Sequence, residues 1–430
     1  MKYFCLLFFL FISIHSFSQK SNDSAVFNKI YRLIGKEDYF KARDIYLTNK
    51  NDLSKFHRAV IEANLDYSFN KPKSSNEKVG IVMKYYNDFN QLADSIQTLL
   101  YYIKMDNYVR LYQYSDAENV AEEIEKNYAG FIAKDSAKAV SLKDKLSMFH
   151  VLSNTPKQEI TIKNNDSIQL IKDAVGLKNL KITQGINSDY FVFDTGAGFS
   201  TVPETTAKKY KMHILESLMN VGTATGKSIK AHIAVCDELN IENIEVKNAI
   251  FLVVADSALA FPQINYRIQG IIGFPIIEAL KEIQIMNDDK LIIPKRQTTW
   301  NAPSNLALSN LSLRISINDS AYIFDTGASS TWLSKKYYDA NKTTIDAHYK
   351  QETFMQGGAG NIDTSKGYLI DFVTTINNKK ITVPNVNVLI RETTSDDDDN
   401  NTYGRIGQDF IHQFNKTTIN FDKMFIKFDN

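Results

Sequence analysis

Two acidic residues stand in the same short phrase of this chain. Tyr190-Phe191-Val192-Phe193-Asp194-Thr195-Gly196-Ala197 recurs as Tyr322-Ile323-Phe324-Asp325-Thr326-Gly327-Ala328, with one residue fewer in the apolar run. Each Asp ends a β-branched and aromatic run of the kind that strands use. Two carboxylates held about 3 Å apart cannot both ionise near neutral pH; they share one proton. One then serves as a base toward a water held between them. The other is an acid that donates to a carbonyl oxygen as a tetrahedral intermediate forms. The two apparent pKa values belong to the pair and not to either residue. The neighbours suit this use. Gly196 and Gly327 let the backbone turn sharply and approach the carboxyls without a Cβ clash. A Thr hydroxyl both donates and accepts, so Thr195 and Thr326 can each bond across to the opposite loop and lock the two Asp side chains.

One Asp-Thr-Gly-Ala is weak evidence, because average residue usage yields it by chance in about one chain of this length in a hundred. Asp and Gly also favour ordinary turns. The second copy changes the weight, because other landmarks follow in the same order. Gly270-Ile271-Ile272-Gly273 is echoed by Gly404-Arg405-Ile406-Gly407. Ile283-Gln284-Ile285 with Asp289-Lys290-Leu291-Ile292-Ile293 matches the hairpin-like stretch Ile419 to Ile426. The expectation is a duplicated β domain, with lobes at 156–296 and 306–430 joined by a linker at 297–305.

With these motifs the β half resembles the pepsin/retropepsin class of aspartic proteases. The Ala after Gly is similar to the retroviral type, and the single chain with two lobes is similar to the pepsin type. The resemblance covers about 160–430. It implies two mostly antiparallel, closed β-barrel lobes and a cleft between them. It also implies Asp194 and Asp325 as the catalytic pair, with Thr195, Gly196, Thr326 and Gly327 supporting them. The implied substrate is an extended polypeptide, and no cofactor or metal is expected. There are departures. Gly198 follows Ala in one copy and Ser329 in the other. Pepsin-like enzymes carry Ser where Ala197 and Ala328 stand, and that Ser hydrogen-bonds a catalytic carboxylate. Loss of such a bond raises the pKa, so an optimum less acidic than that of gastric enzymes is expected. Two glycine-bearing hairpin candidates follow the motifs: Gly222-Thr223-Ala224-Thr225-Gly226 and Gly357-Gly358-Ala359-Gly360. The first is the expected flap over the substrate, through Thr223, Ala224, Thr225 and Gly226. Neither tip carries the flap Tyr of pepsin-like enzymes.

The segment 19–155 has a different character. It has few Gly or Pro and many Lys, Glu, Ala, Leu and Tyr. The stretches Ile30–Thr48, Leu53–Phe69 and Gln91–Met105 carry apolar residues at helical intervals, with breaks at Asn49–Asn51, Asn70–Pro72 and near Asp106–Asn107. This predicts antiparallel helical hairpins. Arg32-Leu33 and Arg110-Leu111 each open a similar stretch, a loose likeness to tetratricopeptide-type repeats without their signature. Around Thr155-Pro156 the period changes to that of strands. Such a helical domain either docks a protein partner, which would make the protease half an accessory, or shields the cleft as a pro-segment.

Composition narrows the rest. The chain has 430 residues, 43% of them hydrophobic, and a net charge of +1. That balance gives no support for nucleic-acid binding or polybasic membrane adhesion. Lys2, the apolar run Phe4 to Ile14, and Ser16 and Ser18 ahead of Gln19 describe a signal peptide at 1–18; a permanent membrane span needs about 20 apolar residues. The expected product is an exported monomer, periplasmic or extracellular, which keeps Cys236 and loses Cys5. Gly222 to Ser228 falls one residue short of a phosphate-binding loop. The run Asp396–Asp399 lacks the alternation of a calcium loop, and the seven His residues show no paired-ligand spacing. The competing reading keeps the fold without the chemistry, as a catalytically silent peptide-binding protein.

Overall fold

The computed structural model describes residues 22–85, 87–223, 228–358, 361–392 and 401–430. The expected signal peptide and the Asp396–Asp399 run lie outside the described residues, as do Ala224, Thr225 and Gly226 of the expected flap. The chain is helical first and mostly β afterwards. Helix α1 spans 22–35, followed by α2 (Tyr39–Asn49), α3 (Lys55–Ser68), α4 (Pro72–Tyr85), α5 (Asp94–Arg110), α6 (Tyr114–Ile132) and α7 (Ser136–Leu152). From α3 onward each helix packs on the next. Ser54 caps α3 by accepting from the His57 N–H, and Asp135 caps α7 by accepting from Ala137 and Lys138, which satisfies donors that a helix start leaves open.

Two helical boundaries differ from the sequence reading. The stretch Ile30–Thr48 is two helices, because Glu37 takes a left-handed φ of 59° between them. The break placed near Asp106–Asn107 falls inside α5. Asn107 is buried and donates to Asn76 Oδ1 at 2.9 Å, so it ties α5 to α4 and turns nothing. The chain reverses instead at Tyr112, with φ 58°. Arg32 and Arg110 each stand in the last turn of a helix that a left-handed residue then closes.

The β half carries one strand order twice. In the first copy the strands run Lys178–Gln184, Asn187–Phe193, Ile271–Ile272, Ser200–Pro203, Ile244–Val254, Ser228–Ile241 and Met219–Gly222. In the second they run Ser312–Ile317, Ser320–Phe324, Gly404–Ile406, Trp332–Leu333, Lys379–Leu389, Asn361–Ile376 and Gln351–Gly358. The senses match step by step. The strand ending in each Asp motif pairs parallel with the short strand before Gly273 or Gly407, Val192 to Ile271 and Ile323 to Arg405. In the first copy Ser228–Ile241 pairs with both Ile244–Val254 and Lys178–Gln184.

The hairpin that ends each copy does not stay with its own lobe. Glu282–Met286 pairs antiparallel with Lys416–Asn420, and the two hairpins form one five-stranded sheet with Asp166–Gln169. The halves thus share a sheet as well as a linker. The helices pack on both. Arg314, with no exposed side-chain surface, is ion-paired with Glu37 at 3.0 Å. Asn70 donates to Glu278 and to the Phe421 carbonyl. Phe149 and Leu152 of α7 share a core with Ile233 and Leu252 of the first lobe. No helix among the described residues is long and apolar enough to cross a membrane.

Candidate active site

Each Asp motif leaves its strand as a tight loop. The Asp194 N–H donates to the Ile272 carbonyl at 3.1 Å, and the Asp325 N–H to the Ile406 carbonyl at 3.0 Å. The parallel pairing of strand and Ile-Gly segment therefore fixes where each Asp begins. A second bond in each copy anchors the Gly. The Gly273 N–H donates to Ser200 Oγ and the Gly407 N–H to Thr331 Oγ1, each at 3.0 Å. Sequence reading passed over Ser200 and Thr331, although each is a hydroxyl residue six places after its Asp.

The two loops meet through their threonines. Thr195 and Thr326 are buried. The Thr195 N–H donates to Thr326 Oγ1 and the Thr326 N–H to Thr195 Oγ1, both at 3.0 Å. Each hydroxyl faces the carbonyl that precedes the opposite Asp: Thr326 Oγ1 donates to Phe193 at 2.9 Å, and Thr195 Oγ1 reaches Phe324 at 3.4 Å. Four buried polar groups, expensive to leave unmade, are thus satisfied only when the halves are together.

That contact brings the carboxyls to one another. A Cβ on Gly196 would lie 2.6 Å from the Asp325 carboxyl, and one on Gly327 would overlap the Asp194 carboxyl. Glycine is required here for close approach. Asp194 Oδ1 accepts from Gly196 and Ala197 at 2.8 and 3.1 Å, and Asp325 Oδ1 accepts from Gly327 at 2.7 Å. Burial raises Asp194 well above the ordinary carboxylate range. The charge of Asp325 and a hydrogen bond with it raise it further, while the Gly196 N–H and the charge of Arg405 pull partly back. Two carboxyls in hydrogen-bond contact, one of them pushed to hold its proton, have the geometry of a proton-sharing pair.

Residues 188–276 match the family model described as aspartyl protease. The matched stretch holds Asp194 to Ala197 and Ile271 to Gly273, and stops before the second copy. A comparison of the chain with curated proteins found no match. An aspartyl protease-like domain is therefore present in the first lobe.

One site residue went unrecognised in the sequence reading. Arg405 Nη1 lies 2.6 Å from Asp325 Oδ2. The sequence shows it only as part of the motif before Gly407, and its cue is a charge where the first copy has Ile271. The strands on either side of both glycine-bearing stretches pair antiparallel, Gly222 with Ser228 and Gly358 with Asn361. A strand, not a helix, follows Gly222–Ser228, so the fragmentary phosphate-loop pattern has no structural basis. Cys236 is buried, and burial pushes its thiol up to about 12, which leaves no thiolate for chemistry. No group of three metal-ligating side chains occurs among the described residues.

Proposed function

We propose that this chain is an exported aspartic endopeptidase that hydrolyses peptide bonds of an extended polypeptide held between its two lobes. The observation that carries the reading is the Asp194 and Asp325 pair, brought into contact by reciprocal threonine bonds. Asp194 is the acid, the member of the pair that does not touch the Arg405 guanidinium. Asp325 is the base. It takes a proton from water as the water oxygen bonds to the scissile carbonyl carbon, and Asp194 gives its proton to the carbonyl oxygen. Collapse breaks the C–N bond: Asp325 passes the proton it took from water to the departing nitrogen, and Asp194 recovers a proton from a hydroxyl of the intermediate. The strand order repeated in both halves, and the double pairing of Ser228–Ile241, support the closed lobes of the pepsin/retropepsin fold. The hairpin through Thr223 is the flap of this reading. The N-terminal pattern at 1–18 supports export.

The Arg405–Asp325 ion pair favours a second reading, a peptide-binding protein of the same fold whose base is occupied. One substitution separates the two. Asp325→Asn is expected to lower peptide cleavage by roughly 10²–10⁴-fold, the range of general acid–base contributions, while peptide binding persists. An intact chain that binds peptides and cleaves none between pH 3 and 8 would establish the silent reading.

A further inference from the structure

The peptide that joins Thr326 to Gly327 is held at both ends. Its N–H, on Gly327, donates to Asp325 Oδ1 at 2.7 Å. Its carbonyl, on Thr326, accepts from Gln408 Nε2 at 2.8 Å. A backbone carbonyl only accepts, so the group facing it is the amide NH2 of Gln408 and not its oxygen. Gln408 is buried and opens the short helix Gln408–Ile411, where its own N–H donates to the Ala328 carbonyl at 2.9 Å. Backbone and side chain of Gln408 thus both clasp the second Asp loop. In the first copy Phe274 keeps the backbone bond, to the Ala197 carbonyl at 2.8 Å. Its fully buried ring has no N–H or O–H to offer the Thr195 carbonyl.

That difference bears on one carboxylate oxygen. Asp194 Oδ1 accepts from both Gly196 and Ala197. Among the described residues, Asp325 Oδ1 has the Gly327 N–H as its one backbone donor, because the Ala328 N–H turns to the Asp325 carbonyl at 3.4 Å. A donor on an amide carbonyl draws electrons toward the oxygen and makes the N–H of the same peptide a stronger donor. Such chains strengthen by roughly 10–30% per bond. Gln408, the Thr326–Gly327 peptide and Asp325 form a chain of this kind. A strengthened bond to a carboxylate favours its ionised form over its protonated one. The charges that face Asp325 are Asp194 and Arg405, the latter already committed to Oδ2. His412 and Asp409, beside Gln408 in the chain, bond instead to the Gln408 carbonyl and to Thr331.

We infer that Gln408 is a positioning residue of the active site, which keeps the negative charge of the pair on Asp325 by polarising the Thr326–Gly327 peptide. This rests on the reading of Asp325 as the base. The intact chain, isotope-labelled at the aspartate carboxyl carbons, is titrated by NMR, with the signals of the pair assigned through Asp194→Asn and Asp325→Asn. The pH profile of kcat/KM for peptide cleavage is measured beside it. Gln408→Met keeps the volume and loses the donor, and Gln408→Asn keeps the amide but falls one methylene short of the carbonyl. Each is expected to raise the lower apparent titration step of the pair, and with it the acid limb of kcat/KM, by roughly 0.1–0.7 pH unit, which is 10–30% of one hydrogen bond to a charged group. Gln408→Glu, whose protonated carboxyl can donate in its place, should return both midpoints toward wild type in acid. A merely structural glutamine would lower rate and stability at every pH and leave both midpoints where they were. Unchanged midpoints in whichever of Gln408→Met and Gln408→Asn folds overturn the inference. A midpoint that moves by NMR in a chain that cleaves no peptide at any pH overturns the endopeptidase reading and keeps this one.

Discussion

Asp194 and Asp325 carry the same motif in different fields. Asp325 touches a guanidinium, and Asp194 is raised by burial and by its partner's charge. The sign for stability follows. A carboxyl whose folded-state pKa lies above its unfolded value stabilises the fold fully in acid, and that contribution is lost as pH rises through the folded value, at up to about 1.4 kcal/mol per pH unit. Asp194→Asn cannot ionise, so it should melt above wild type at neutral pH, with the gap closing toward pH 4 in a calorimetric series. Because the acid must keep its proton, wild-type cleavage should persist above the ordinary carboxylate range; a rate already lost by pH 4.5 would count against Asp194 as the acid. The threonines make a separate test. Thr326→Ala strips the acceptor from the buried Thr195 N–H and should cost about 1–3 kcal/mol, whereas Thr326→Ser should restore most of it in chemical denaturation. The bonds between Thr195 and Thr326 were legible because a hydroxyl beside each copied Asp can both donate and accept across to the opposite loop. The contact of Arg405 was not: a charge in an apolar slot says nothing of where a long side chain reaches.

Hairpins at the end of each copy were legible from their alternating apolar residues, but their partner was not. Residues such as Ile283 and Ile419 reveal that a strand is half-buried and leave open which strand lies beside it. The structure pairs them with each other, and Glu282 holds the junction. Its fully buried carboxylate accepts from the Thr298 N–H and hydroxyl at 2.8 and 2.6 Å, from Asn420 at 2.8 Å and from Gln284 at 3.0 Å. Burial alone would raise its pKa; these bonds outweigh burial, and the net shift is downward. The sign is opposite to that of Asp194. Glu282 stabilises the junction above its unfolded pKa and loses that contribution as pH falls through the lower folded value. Glu282→Gln should therefore destabilise by about 1–3 kcal/mol at neutral pH, with the difference shrinking in acid. A constant difference across pH 2–7 would mean that the charge contributes nothing at the junction.

The relation between the helices and the lobes bears on whether residues up to 155 can leave. In strand Ser228–Ile241, Ala234 and Cys236 join the core that holds Phe191 and Val202, whereas Ala231, Ile233 and Val235 join the core that holds Phe149 and Leu152. Its partner divides the same way, with Ala249, Phe251 and Val253 inward and Ile250, Leu252 and Val254 toward the helices. The unbroken apolar run Ala249–Val254 was the available cue, since a strand covered on both faces loses its polar alternation. Asp144 of α7 also accepts from the backbone and side chain of Asn220, on the strand that leads into the first glycine hairpin. Excision of the helices would bare Ile233, Val235, Ile250, Leu252 and Val254. At about 1.5–3 kcal/mol for each large apolar side chain, that is on the order of 10 kcal/mol, as much as a whole domain's stability. A pro-segment reading expects autolysis near residue 155 to release a soluble, active two-lobed enzyme. The shared core predicts the reverse: residues 156–430 expressed alone should aggregate or bind a hydrophobic dye strongly, and adding 19–155 in trans should restore a monomer. A stable, dye-negative 156–430 fragment that cleaves peptides at the full-length rate would return the helices to the role of a removable shield.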